Sequence, residues 1–163
     1  VAGLNDDPDR YAYLAEGNAK QARKRIAAKV VIRDGLGRVL LVNPTYKDYW
    51  DLPGGMVEAN EPPSKGAERE ILEEVGIVVT IGRVLLTVWI GPHGPWDDQI
   101  LFVFDGAALT PQQLADLRVV DPEISEFGFF QPDEAARQLR PDMAERLGQA
   151  LDALSEGTTT NFV

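Results

Sequence analysis

Hydrophobic and polar positions follow two rhythms along this chain, and their order predicts its elements. "IAAKVVIRD" is β-branched and predicts a strand, "GLG" turns the chain, and "RVLLVN" predicts a second strand paired with the first as a hairpin. "IVVTIGRVLLTVWIG", bent at Gly82, then "QILFVFDG", and "ISEFGFFQ" as the last strand, extend the strand set. A helix is expected from about Ser64 to Val75, and two more in "PDEAARQL" and "PDMAERLGQALDALSE", each opened by Pro-Asp. "PQQLADL" predicts a helical connection. "PTYKDYWDLPGGMVEANEPP" and "PHGPWDD", rich in Pro, Gly and aromatics, predict loops. Residues 1–24 are expected as an N-terminal arm or helix with a basic end, 25–156 as one domain, and 157–163 as a flexible C-terminal tail. Strands, one inserted helix, more strands and terminal helices make an α+β fold around a mixed sheet, without the alternation of a doubly wound fold.

Composition narrows the function more than the fold. The 163 residues are ordinarily globular, 44% apolar and 26% charged. Sixteen basic against 26 acidic residues leave a formal charge of −10, which argues against a nucleic acid polymer or an anionic membrane as partner. No stretch is apolar enough to span a membrane and no signal peptide is visible, so a cytoplasmic enzyme or binding domain is expected. There is no cysteine and one histidine, His93. Thiolate and ordinary zinc sites are therefore set aside, and any metal should be a hard cation held by oxygens.

"EREILEEVGI", Glu68 to Ile77, carries the chemistry. At about 100° per residue, Glu70, Glu73 and Glu74 share an arc of roughly 100°, while Ile71, Leu72 and Val75 are expected to face the core. The carboxylates repel at these spacings. With Gly76 as the helix stop, they also crowd the negative end of the helix dipole. A solvated acidic face is the plain alternative. A shared divalent cation turns the conflict into an advantage, because the ion dominates the local field. Magnesium suits such a site, since it takes a few carboxylates, several waters and substrate phosphate oxygens.

From Gly55 the chain reads G-x5-E-x7-R-E-x-x-E-E-x-G-I, with Gly55, Glu61, Arg69, Glu70, Glu73, Glu74, Gly76 and Ile77 at the fixed positions. This resembles the signature of the Nudix hydrolases, with "WDLPGG" as its usual lead-in. The resemblance implies an α/β/α sandwich with a central mixed β-sheet. It implies a magnesium-dependent pyrophosphohydrolase, manganese substituting, that cleaves a nucleoside diphosphate linked to another moiety: ADP-ribose, a nucleotide sugar or a nucleoside triphosphate. By the same resemblance Glu70, Glu74 and the Gly54 carbonyl are metal ligands. Glu73 is a further ligand or the base orienting water, Arg69 and Glu61 support the motif, and Gly55 gives close backbone approach. A further carboxylate from outside the motif is expected, Glu126 first, then Glu123, Asp97 or Asp98. Trp96, His93, Tyr49 and Arg25 are expected to contact substrate. Tyr46, Trp89, Arg33, Lys47 and Arg83 are further candidates, and Trp50 and Phe102 are expected in the core. Pro92, about fifteen residues beyond the motif, tilts the substrate toward ADP-ribose. The absence of cysteine argues against the isomerase relatives of this fold. Family analogy also suggests a homodimer. The rival reading is a catalytically silent nucleotide sensor, and the intact motif favours the enzyme.

Overall fold

The computed structural model describes residues 7–162. Its central sheet begins with the expected hairpin, β1 (Arg25–Arg33) antiparallel to β2 (Val39–Pro44). Asp34 builds the turn: its Oδ1 accepts the Leu36 and Arg38 amides, both at 2.9 Å. A short β3 (Gly54–Met56) adds to β1 in antiparallel register. Helix α2 (Pro63–Val75) follows, then β4 (Val84–Ile90) and β5 (Gln99–Ala108) as an antiparallel pair. After α3 (Pro111–Asp116) comes β6 (Ile124–Phe130), then α4 (Pro132–Gln138), α5 (Pro141–Glu156) and β7 (Thr160–Phe162). The strands run β6-β2-β1-β5-β4-β7, with β3 beside β1, in a seven-stranded mixed sheet in which β1–β5 and β4–β7 are parallel. N-terminal helix α1 (Pro8–Ala19) buries none of its residues.

Alternation along β1 sends its side chains to two cores. Ala27 and Val31 join the cluster under α4 and α5, with Leu139, Met143, Leu147, Ala150 and Ala153. Ala28, Val30 and Ile32 join the opposite cluster under α2, with Ala67, Ile71 and Val75. Helices on both faces of a mixed sheet give the expected three layers. Lys29 interrupts the apolar series between Ala27 and Val31, and this interruption belongs to the functional site.

Several details depart from the sequence reading. Residues 77–83 run outside the strands, so β4 begins at Val84 rather than at Ile77. Ile77 and Val79 still bury their side chains against α2. Leu72 is 47% exposed instead of facing the core; Ile71, one residue before it, and Val75, three residues after it, take the buried stripe. β6 is not the last strand, because Thr160–Phe162 pairs with β4. Arg83 is engaged away from the cleft: it donates to the carbonyls of Ala153 at 2.8 Å, Leu154 and Thr158, closing the C-terminal end of α5.

The exposure difference between neighbours predicts unequal losses. Ile71→Ala should cost about 2–5 kcal/mol in denaturant unfolding, and Leu72→Ala less than about 1 kcal/mol. Comparable losses would contradict the placement of α2.

Candidate active site

The site starts from a backbone that leaves no room for a side chain at Gly54 and has the Glu70 carboxylate against it at Gly55. Gly54 has φ +118, and a Cβ there would lie 2.2 Å from the Ala28 carbonyl oxygen on β1. At Gly55 a Cβ would lie 2.5 Å from Glu70 Oε2. Glycine at both positions lets β3 press against β1 while α2 lowers its carboxylates onto the strand. The Gly54 amide donates to Glu74 Oε2 at 2.9 Å, tying strand to helix.

Helix α2 ends as its sequence directs. Gly76 caps it in the left-handed region at φ 71, donating its N–H to the Leu72 carbonyl. The last carbonyls do not stay orphaned: Val120 N–H reaches Glu74 O at 3.0 Å and Arg118 N–H reaches Val75 O at 3.2 Å. These donors soften the negative helix end on which the glutamates sit.

Arg69 is the hub of the carboxylates. Its guanidinium grips both oxygens of Glu61, at 3.0 and 3.1 Å, and donates to Glu70 at 2.9 Å, to Glu73 at 3.1 Å and to the Met56 carbonyl at 3.1 Å. Hydrogen bonds from Arg69 and the Glu58 amide hold the Glu61 carboxyl below its usual range. Glu74 has no such partner. It is 8% exposed, and burial pushes its pKa up to about 7 against the pull of Lys29 and the Gly54 amide, with Glu70 and Asp51 adding to the rise.

Two residues here escaped the sequence reading. Lys29 Nζ donates to the carbonyls of Gly54 at 2.6 Å and Leu52 at 3.0 Å and lies 3.2 Å from Asp51. Burial works against its charge, yet Asp51 and Glu74 outweigh burial and raise its pKa. Asp51, also buried, is held ionised against desolvation by Lys29 and Lys47, the latter at 2.8 Å. One signal was available for each: a lysine inside the buried run "IAAKVVIR", and an acid just before "LPGG".

The glycines and Lys29 open onto a cleft of about 670 Å³. Arg25, Trp96 and His93 line it together with Tyr46, Lys47, Arg140 and Arg146; Asp51 and Asp142 line it too, Asp51 pairing with Lys47 and Asp142 with both Arg140 and Arg146. Arg25 lies 4.8 Å over the Trp96 ring and donates to the Asp97 carbonyl. Tyr49 instead lines a smaller recess of about 150 Å³ with Trp50 and Arg140. Trp50 packs edge to face on Phe130 and Phe102 lies against the α2-side core, as expected. Arg33 pairs with Asp105 away from the cleft.

The candidate acids outside the motif have hydrogen-bond partners of their own. Glu126, on β6, accepts from Asn43 on the neighbouring β2 at 3.1 Å. Asp98 is taken by Lys24 and by Trp89 Nε1, which also keeps Trp89 out of the cleft lining. Glu123 contributes its carbonyl to Thr45, and Asp97 its carbonyl to Arg25.

The residues fit a hard divalent cation. Their donors are all oxygens, and two of the backbone positions carry no side chain, which leaves room for close approach to the Gly54 carbonyl. Among the described residues no three acidic or imidazole groups already converge on one point. Arg69 and Lys29 hold the donors instead, so a cation entering here must take oxygens from them.

The comparisons agree with this geometry. A family model described as the NUDIX domain matches residues 23–154. The chain is 35% identical over 129 residues to an uncharacterised Nudix hydrolase of Pseudomonas aeruginosa, covering 71% of this chain and 68% of that one. It is 41% identical over 64 residues to diphosphoinositol polyphosphate phosphohydrolase 2 of Rattus norvegicus, across 39% of this chain and 36% of that one. The crystal structure of a UDP-X diphosphatase superposes with a TM-score of 0.73 at 20% identity, covering 96% of this chain and 75% of that one.

Glu74 sets a pH dependence. Its folded pKa of about 7 exceeds its ordinary 4.5, so the native chain holds this proton more tightly than the unfolded chain. The stability this confers is complete below the unfolded value and is lost as pH rises through about 7. In chelator, denaturation should show the chain losing on the order of 3 kcal/mol from this group between about pH 5 and pH 8. Glu74→Gln should flatten that loss; an unchanged slope would assign it to other groups.

Proposed function

Because this chain belongs to the Nudix family, whose hydrolases act on pyrophosphate bonds, we propose that it cleaves, with magnesium, a nucleoside diphosphate linked to a second moiety. One observation carries the reading: the Glu70 and Glu74 carboxylates meet the side-chain-free Gly54–Gly55 backbone at the wall of a cleft lined by cations. Glu70, Glu74, Glu73 and the Gly54 carbonyl are the groups that would hold the metal, with manganese a substitute. When bound, magnesium polarises a phosphoryl oxygen and lowers the pKa of water.

The chain's own residues supply the rest. Glu73 is the exposed member of the three, with its side chain 54% exposed, and that exposure supports a role in orienting water or accepting its proton. Arg69 and Glu61 fix the direction of the glutamates, and such supporting contacts matter for positioning. Arg25, Lys29, Lys47, Arg140 and Arg146 outnumber Asp51 and Asp142 in the cleft lining, and that excess of cations suits a diphosphate. Trp96, 55% exposed with Arg25 over one side of its ring, offers an aromatic surface to a base. The names of the relatives above span a nucleoside diphosphate derivative and a phosphorylated inositol, and the Trp96 surface favours the nucleotide for this chain.

A phosphate-release screen with magnesium tests the reading. It should cover ADP-ribose, nucleotide sugars, dinucleoside polyphosphates and nucleoside triphosphates. One class is expected to turn over, with Glu74→Gln lowering the rate by roughly a hundredfold or more. Full activity in Glu74→Gln would overturn the assignment of that glutamate. Silence across the panel with magnesium binding intact would favour a nucleotide sensor.

A further inference from the structure

Lys29 is a charged side chain on a strand position that should be apolar. It lies between Ala27 and Val31, both in the core under α4 and α5. Its ammonium has three N–H donors, and three acceptors surround it: the Leu52 carbonyl, the Gly54 carbonyl and Asp51. The shortest of these contacts, 2.6 Å, goes to Gly54, whose amide is bonded on its other side by Glu74. One residue, Gly54, is thus held between a cation at its oxygen and a carboxylate at its nitrogen.

We propose that Lys29 is a tethered counter-cation of the carboxylate site, which stands in for a divalent metal at the Gly54 carbonyl and competes with it there. The proposal rests on the metal site described above. Asp51 offsets only part of the lysine charge, because Asp51 is shared with Lys47. A divalent ion arriving at Gly54 therefore meets a like charge 2.6 Å from the oxygen it needs, and must displace it. The lysine keeps Glu74 and Asp51 compensated before the metal arrives, at the cost of weaker metal binding. Once displaced, the amine remains at the cleft wall, where an anionic group of the substrate is its natural replacement acceptor.

Calorimetric titration of the intact chain with Mg²⁺ tests this, with melting temperatures measured in chelator. Lys29→Met should bind Mg²⁺ roughly tenfold more tightly than wild type, since a nearby like charge is gone, and should melt lower in chelator. Lys29→Arg, which keeps the charge, should bind close to wild type. Where Lys29→Met does not fold, Lys29→Gln keeps an N–H donor for Gly54 and removes only the charge. Equal or weaker Mg²⁺ binding in a folded, uncharged variant overturns the proposal while leaving the metal site standing. No Mg²⁺ binding by the wild type overturns both.

Discussion

Glu70, Glu73 and Glu74 share one face of α2 over its last two turns, where like charges at this spacing repel. Relief comes from two cations, Arg69 on the helix itself and Lys29 on β1. Arg69 binds Glu61, Glu70 and Glu73 and also the Met56 carbonyl, so the charge that quiets the helix also fastens β3 to it. Lys29 faces Asp51 and Glu74 from β1. Without them the loop before β3, β3 and α2 would carry uncompensated buried charge, which costs far more than a surface ion pair contributes.

That compensation works only because the backbone can come close. Gly54 sits where a side chain would strike the Ala28 carbonyl, and Gly55 where one would strike Glu70. The sheet supplies the rigid side of the contact, since β1 is central, flanked by β2, β5 and β3. The two cores hold α2 on one face and α5 on the other, so the Gly54–Gly55 backbone that meets the α2 glutamates, and Arg146 of α5 with its N-cap Arg140, come from separate layers to one cleft.

Much of this was legible in the chain. The hairpin, α2, α4 and α5 followed from periodicity and from Pro and Gly punctuation, because those elements carry their own stop and start signals. The spacing of Glu70, Glu73 and Glu74 placed them on one face, and the structure adds that they differ in burial, Glu74 inside and Glu73 outside. Strand β7 was illegible because "TNF" has no pattern of its own and exists as a strand only through pairing with β4. The boundary of β4 was missed because Ile77 and Val79 are apolar for packing on α2, which period alone does not separate from strand burial. Lys29 and Asp51 carried a signal, a charge in a buried run, but its meaning depended on β3 folding back onto β1.

The cationic cleft belongs to a chain whose formal charge is −10. From a distance the molecule therefore repels an anion, and only within about a Debye length, roughly 8–10 Å in physiological salt, do the cations of the cleft act on it individually. Ligands that arrive with part of their charge already neutralised by a bound cation cross that outer barrier most easily. The same outer repulsion works between copies of the chain, discouraging close approach in crowded solution while leaving the mouth of the cleft open to small molecules. Moderate salt would thin this barrier before it weakened the short contacts inside, so the charge distribution acts as a coarse sieve ahead of any fit to the cleft itself.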